Sequence, residues 1–242
     1  MRRAVAVLVM LAACGRVGFD AVSAVDGAPR GDGSTQIDGP VVHDGPPRVL
    51  IMGAPGSGAT TMFENWLAGR AATVETLQGR LDTTILARTD LLVVRALQTA
   101  ADDLEREALA SFVQQGGALV QLSGFTDMQQ GADLATSLSS VFGVVFRSDI
   151  NTGPVTALAL HPVNDGVSSV VFMGGDTAVS TGGSTFVPTA WIGGNAVAGV
   201  VEVGVGRVYL WADEWVTSDS TWVQASSEQF WTAAFDWLWP VS

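Results

Sequence analysis

The sequence of 242 residues contains no lysine, one cysteine, one tyrosine and two histidines. All 12 basic residues are therefore arginines, which excludes a P-loop lysine, a Schiff base and a lysine general base. The single cysteine, Cys14, excludes an intramolecular disulfide and a cysteine metal cluster. A zinc site built on His43 and His161 would need carboxylates for its remaining ligands, so we predict no metal and no cofactor.

Charge is also scarce and one-sided. Only 15% of residues are charged, 48% are hydrophobic, and the formal net charge is −12. This composition is typical of a globular protein and not of a disordered chain. The acidic balance argues against nucleic acid and against anionic membrane surfaces as partners.

The first 14 residues, MRRAVAVLVMLAAC, have a basic start and an apolar stretch that ends at Ala13. The stretch is too short to span a bilayer, which takes about 20 residues, but it has the length of a secretory signal. The residues Leu11-Ala12-Ala13-Cys14 resemble the bacterial lipobox, which implies cleavage before Cys14 and lipidation of that residue. Gly15 follows, in place of the aspartate that retains lipoproteins at the inner membrane, so the resemblance favours the outer membrane. An ordinary signal peptide with an incidental cysteine is the alternative.

The next segment repeats Asp-Gly every six residues, at 26–27, 32–33, 38–39 and 44–45. Asp-Gly favours turns, and the interleaved prolines block helices and strand ladders. We predict a flexible acidic tether that reaches about 30 Å. Calcium binding is the alternative, but aspartates at this spacing give too few oxygens per loop. The predicted organisation is a signal peptide (1–13), a lipidated cysteine with its tether (14–47) and one domain (48–242).

Apolar runs in the domain alternate with segments of helical periodicity. Buried-strand runs occur at 48–53, 90–95 and 118–124, with helices predicted at 60–69, after 102 and at 128–143. Thr99 and Asp102 suggest a capping box for the second of these helices. Five later strands, at 155–160, 169–174, 186–192, 196–203 and 206–213, lack room for crossover helices, and a final helix follows. We predict an α/β fold with a mostly parallel sheet, helices on both faces and an antiparallel C-terminal extension.

The first loop of the domain, GAPGSGATT at 53–61, is similar to the Walker A pattern G-x-x-x-x-G-K-[ST]. Gly53, Gly58 and Thr60 fit the pattern, but Ala59 stands where the lysine belongs. We predict a structural turn that binds no nucleotide. Weak binding of an anion or polar group by the loop, around Gly56 and Ser57, is the alternative.

The run EREALASFVQQGGALVQLSG (105–124), then HPVNDGV (161–167) and VGVGRVYLWADEW (203–215), resembles the class I glutamine amidotransferase-like superfamily, within it the ThuA-like branch. The resemblance implies a flavodoxin-like sheet with a cleft at the carboxyl ends of the strands. It also implies a nucleophile on the turn after the central strand, where this chain has Ser123 instead of cysteine. The family's histidine near the C-terminus is missing. Glutamine hydrolysis is therefore not expected.

Several residues are candidates for chemistry or binding. Ser123, His161 and Asp213 could form a nucleophile triad, although His161 is more typical of a structural residue. Asp213 and Glu214 are paired carboxylates near the predicted cleft. Trp215 and Trp222 could stack on sugar rings.

Three functions are consistent with these features. The favoured one is a lipid-anchored envelope protein whose degenerate domain binds carbohydrate or another envelope protein without catalysis. The second is a hydrolase or carbohydrate-modifying enzyme that uses the cleft. The third is a structural envelope lipoprotein.

Overall fold

The computed structural model describes residues 43–56, 58–124, 129–224 and 226–241. Cys14, the predicted signal peptide and residues 15–42 of the predicted tether lie outside these ranges. The strands are β1 (Arg48–Met52), β2 (Thr73–Thr76), β3 (Leu91–Val94), β4 (Ala118–Leu122), β5 (Val144–Val155), β6 (Ala157–Leu158), β7 (Val170–Ser180), β8 (Val187–Ile192), β9 (Asn195–Val203) and β10 (Gly206–Trp211). The α-helices are α1 (Thr61–Ala68), α2 (Thr83–Leu86), α3 (Asp103–Gln114), α4 (Gln129–Ser139), α5 (Asp219–Trp222) and α6 (Ser227–Leu238). Short 3-10 helices span Ser140–Phe142, Pro162–Asn164 and Glu214–Thr217.

The main sheet has the strand order β2-β1-β3-β4-β10-β9-β8-β6. Its first five strands are parallel and follow the flavodoxin-like order, and β9, β8 and β6 continue it as an antiparallel extension. The predicted fold class is thus confirmed. One strand was misplaced, because β10 was expected in the extension but pairs parallel with β4, with Trp211 opposite Leu122.

The core forms where the apolar runs predict it. Every residue of β3 and β4 is buried, as expected for strands covered on both faces. Helix α1 buries Phe63 and Leu67, and α6 buries a broad aromatic face that includes Phe230 and Trp231. In the described ranges, no helix combines the length and apolar character that crossing a membrane takes.

The capping box of α3 lies three residues later than predicted. Asp102 is the N-cap and accepts from the Glu105 N–H, while the Glu105 carboxylate accepts from the Asp102 N–H. Thr99 takes no part in this box. Both carboxylates lie at the N-terminus of α3, where negative charge interacts favourably with the helix dipole.

Strands β5 and β7 form a separate antiparallel ribbon. The sequence analysis missed most of β5, because its exposed and buried residues alternate irregularly. The register breaks between Arg147 and Asn151, so Ser148, Asp149 and Ile150 bulge out of the ladder opposite Asp176.

The N-terminal end of the described domain is fastened to its C-terminal end. The His43 N–H donates to the Pro240 carbonyl over 2.8 Å, and Trp239 Nε1 donates to the Gly45 carbonyl over 2.9 Å. The rings of His43 and Trp239 stack with their centroids 3.3 Å apart. The last Asp-Gly pair, residues 44–45, is therefore held on the domain, although it belongs to the repeat that predicts a tether.

The contacts of His43 and Gly45 with Trp239 and Pro240, which we call the clasp, predict a specific cleavage pattern. An endoproteinase that cuts before aspartate should cleave the full-length chain at Asp26, Asp32 and Asp38 but spare Asp44. Trp239→Ala should make Asp44 cleavable too, because it removes both the stack and a hydrogen bond. Fragments would be read by mass spectrometry, with Trp215→Ala as the control that keeps Asp44 protected. Cleavage of the wild type at Asp44 as fast as at Asp38 would contradict the clasp.

Candidate functional site

The candidate site is the edge of the sheet where β1, β3, β4 and β10 end. These strands are parallel, so the loops that follow them meet at one edge, which is where open α/β sheets bind ligands. Four predicted site residues come together there: Gly56, Ser123, Asp213 and Glu214. Trp215 follows directly, whereas Ser57 lies outside the described residues.

Ser123 occupies the turn after β4, where the resemblance implies a nucleophile. Its side chain is fully buried, and its hydroxyl donates to the Asp176 carboxylate from β7. Burial raises the pKa of Asp176 to about 6. The hydrogen bond from Ser123 lowers this pKa, and the negative charge of Asp149 raises it further. Ser123 is therefore paired with a carboxyl group and not with a histidine.

Asp213 follows β10 and is also fully buried. Its carboxylate accepts from the Met173 N–H at 2.7 Å and from the Trp215 N–H at 3.0 Å. Burial raises the pKa of Asp213 to about 7, backbone hydrogen bonds oppose the shift, and the neighbouring Glu214 adds to it. The group thus tethers β7 to the end of β10 and caps the 3-10 helix Glu214–Thr217.

Glu214 fills the centre of this edge. A Cβ on Gly56 would lie 2.7 Å from Glu214 Oε1, and a Cβ on Gly124 would overlap Oε2 of the same carboxylate. Gly56 after β1 and Gly124 after β4 therefore leave room for the Glu214 side chain. In the described ranges, no group of three or more His, Cys, Asp or Glu side chains is arranged to hold a metal ion.

A second carboxylate of the same segment meets the start of α1. The Met62 N–H donates to Asp219 Oδ1 over 2.8 Å, and the Asp219 N–H donates to the Ala59 carbonyl over 2.8 Å. An internal carboxylate thus takes the amide position that a bound phosphate would use. Pro55 supplies no N–H, so this geometry agrees with the prediction that the loop binds no nucleotide, which stays a prediction.

Arg95 lies directly after β3 at the same edge. It is 4% exposed, and its guanidinium donates to Glu64 Oε1 over 3.0 Å and to Thr60 Oγ1 over 3.3 Å. This buried cation holds the first turn of α1 against the end of β3. It pairs with Glu64 and not with the carboxylates of Asp176 or Asp213.

His161 lies at the opposite edge of the sheet. Its Nδ1 accepts from the Val163 N–H, and its ring packs edge-on against Trp237. Burial lowers its pKa, and the charged groups that act on it, Glu202 and Arg207, flank the beginning of β10. Because β10 separates this end from Ser123 by about 15 Å, the structure does not assemble the triad of Ser123, His161 and Asp213.

The two tryptophans proposed for sugar stacking differ. Trp222 packs against Phe63 and Trp66 in an aromatic cluster between α1 and α5. Trp215 is half-buried beside the carboxylates and is the better placed of the two for contact with a ligand.

Sequence reasoning missed Arg95, and it noted Asp176 only as an acid that the ThuA-like resemblance retains, without pairing it with Ser123. Asp176 is the one charged residue in the otherwise apolar and small run VVFMGGDTAV, and Arg95 ends the buried run LLVVR. A charged residue inside or directly after a buried strand is the signal that could have found them, because such a group needs a partner.

Comparison with known proteins supports the fold. No family model and no curated protein matches the sequence. Among solved structures, the mmIFT52 N-terminal domain aligns with a TM-score of 0.66 and 13% identity over 78% of this chain and 96% of that one. A ThuA-like protein from Bacteroides uniformis aligns with a TM-score of 0.53 and 14% identity over 83% and 95%. A protein from Thermoplasma acidophilum that is described as part of a GMP synthase gives 0.53 and 12% over 78% and 92%.

The chain therefore has the α/β fold shared by ThuA-like proteins and glutamine amidotransferase domains. At these identities the similarity concerns the fold alone.

Proposed function

We propose that this protein is a lipid-anchored protein of the cell envelope whose amidotransferase-like domain binds a partner and does not catalyse a reaction. One observation carries the non-catalytic part. The hydroxyl at the nucleophile position, Ser123, is fully buried and bonded to Asp176, and both histidines of the chain lie at the other edge of the sheet. The group beside Ser123 is a buried carboxyl and not the histidine of a nucleophile triad, and the full burial of Ser123 leaves a substrate no free approach to the hydroxyl.

The anchoring part rests on the sequence. Cys14 ends a signal-like stretch with the spacing of a lipobox, and the acidic segment after it joins the domain at His43, where the clasp begins. Gly15 favours the outer membrane over the inner one. Carbohydrate and another envelope protein are the partner classes, with Trp215 as the nearest candidate contact.

A structural envelope role is the second candidate. It is favoured by the closure of the ligand edge, since Ser123, Asp213 and Glu214 are at most 2% exposed. In this case the interaction would use the outer surface of the domain and not the cleft.

The catalytic alternative can be tested directly. Full-length protein in detergent would be assayed for ammonia release from glutamine and for nitrophenol release from nitrophenyl esters and glycosides. We expect blank rates for the wild type and for Ser123→Ala alike, because the Ser123 hydroxyl is fully buried and no histidine lies beside it. Turnover that Ser123→Ala abolishes and Glu107→Gln, an exposed change on α3, retains would overturn the non-catalytic proposal.

The binding proposal needs a second measurement. A photo-reactive amino acid at position 215 should give discrete crosslinks to one envelope component in whole cells. The same group at position 107, on the outside of α3, is the matched control. Equal and diffuse labelling from both positions would favour the structural role instead.

A further inference from the structure

We propose that a cavity at the amino ends of the parallel strands, between α2, α3 and the clasp, binds a neutral carbohydrate. Such binding rests on the proposed function, to which it adds a site and one class of ligand, and the site lies away from Trp215. The cavity has a volume of about 390 Å³, which is within the range of about 300–1,000 Å³ that small-molecule sites occupy.

The turns that precede four neighbouring strands bring the walls of the cavity together. Arg48 begins β1, Asp90 precedes β3, Gly117 precedes β4 and Val205 precedes β10. Because these strands are parallel, their amino ends meet at one edge of the sheet, opposite the edge described above as the candidate site. The carboxyl edge is filled by the protein's own Glu214, whereas the amino edge keeps an open cavity.

The charges of the cavity lining cancel. Its titratable residues in the described ranges are Arg48, Asp90 and His43. The Asp90 carboxylate accepts from Arg48 Nε at 2.9 Å and from Arg48 Nη2 at 2.7 Å. Burial acts to raise the pKa of Asp90, but the hydrogen bonds and the charge of Arg48 outweigh burial and lower this pKa. Burial lowers the pKa of His43. At neutral pH the lining therefore carries one ion pair and an uncharged imidazole, which favours a ligand without net charge.

Polar groups around the cavity are available to a ligand. Gln115 Nε2 donates to Ser111 Oγ over 2.7 Å, and Gln115 Oε1 has no partner in the part of the chain that the structure describes. The same holds for the Thr83 hydroxyl and for Arg48 Nη1, because the contacts of Arg48 with Asp90 engage its backbone N–H, Nε and Nη2. Separate donors and acceptors around one cavity match a ligand that carries several hydroxyl groups.

Apolar surface lies between these polar groups. Leu86 and Ala108 form a buried wall, and the rings of Phe112 and Trp239 also line the cavity. A Cβ on Gly117 would overlap the Phe112 ring, so glycine at this turn lets the ring pack directly against the backbone. A sugar presents a C–H face to aromatic rings and hydroxyl groups at its edge, which is the combination that this lining accepts.

Calorimetry tests the binding. Full-length protein in a detergent without a sugar headgroup would be titrated with glucose, galactose, mannose, N-acetylglucosamine, cellobiose, lactose and chitobiose. We expect at least one of these neutral sugars to bind with a Kd of about 1 mM or tighter. Glucuronic and galacturonic acid should bind about tenfold more weakly than the best neutral sugar, because the one arginine of the lining is already paired. Absence of binding by every neutral sugar, or a preference for an acidic one, would overturn the proposal.

Three variants locate the binding. Ser111→Trp places a large ring in the cavity from an exposed position of α3 and should abolish binding. Ser140→Trp, the same change at an exposed position outside the lining, should bind as the wild type does. Thr83→Val keeps the shape of the side chain and removes one hydroxyl group, so the Kd should rise about fivefold. Unchanged binding in both Ser111→Trp and Thr83→Val would contradict the site.

The indole N–H signals in nuclear magnetic resonance spectra show which edge of the sheet holds the sugar. On titration with the sugar that binds best, the Trp239 signal should shift and the Trp215 signal should not, each being assigned through its replacement by phenylalanine. A shift of Trp215 alone would overturn the cavity site and leave the proposed function in place. If no sugar binds, the cavity site fails, and the crosslinks from position 215 decide the proposed function separately.

Discussion

Replacing Cys14 by serine is expected to transfer the protein from the membrane fraction to the soluble fraction or to leave it unprocessed, with complete loss of fatty-acid labelling. The physical reason is that acyl chains supply the anchor, at about 0.8 kcal/mol for each buried CH₂, and Cys14 is the single thiol available to carry one. Cell fractionation and metabolic labelling with a radioactive fatty acid would measure both effects.

Two further variants make this result specific. Gly15→Asp should keep the label and move the protein toward inner-membrane density, because only the sorting residue changes. Ala21→Ser, which alters the tether but not the lipobox, should match the wild type in both assays. Fatty-acid label that persists in Cys14→Ser would refute the lipid-anchor proposal.

The second large effect is expected in the pH dependence of stability. The pKa of Asp213 is about 7 in the folded protein, against 3.8 for a free aspartate side chain. The folded state therefore binds more protons between these values, so the stability from this group is complete below pH 4 and is lost as the pH rises to 7. From pH 5 to pH 8 the free energy of unfolding should fall by about 3 kcal/mol on this account.

Urea unfolding of the wild type and Asp213→Asn at several pH values would measure this. The variant should lose most of the pH dependence between pH 5 and pH 8, even if it is less stable throughout, because Met173 and Trp215 donate to different oxygens of Asp213 and an amide offers only one oxygen. His43 and His161 have pKa values lowered by burial, so they remove stability as the pH falls below 6.5, but they do so equally in both proteins. Parallel pH profiles for the wild type and Asp213→Asn would show that Asp213 titrates normally.

The strands and helices of the domain could largely be read from local patterns. The buried runs at 48–53, 90–95 and 118–124 became β1, β3 and β4, and the periodic segment after Asp102 became α3. Burial on both faces leaves an uninterrupted apolar run, and burial on one face leaves a helical period, so both signals survive in the sequence. The short edge strand β2 and the bulged strand β5 carry neither signal, and both were missed.

The site was predictable only in part. Ser123 and Asp213 were found because they follow buried strands, and parallel strands bring their ends to one edge. The hydrogen bond between Ser123 and Asp176 was not predicted. Asp176 lies 53 residues away from Ser123 on a ribbon whose path over the sheet depends on packing. His161, the partner suggested by residue type, lies at the opposite edge.

The sequence by itself determined the class of fold, the absence of lysine and disulfide chemistry, and the lipobox-like position of Cys14, because each depends on composition or on neighbours along the chain. The tertiary structure decided which side chains meet. It placed Glu214 against Gly56 and Gly124, Asp219 against the start of α1, and Asp176 on Ser123. Such contacts join segments far apart in sequence, and their formation depends on how the ribbon and the last loop pack against the sheet, which no local pattern encodes.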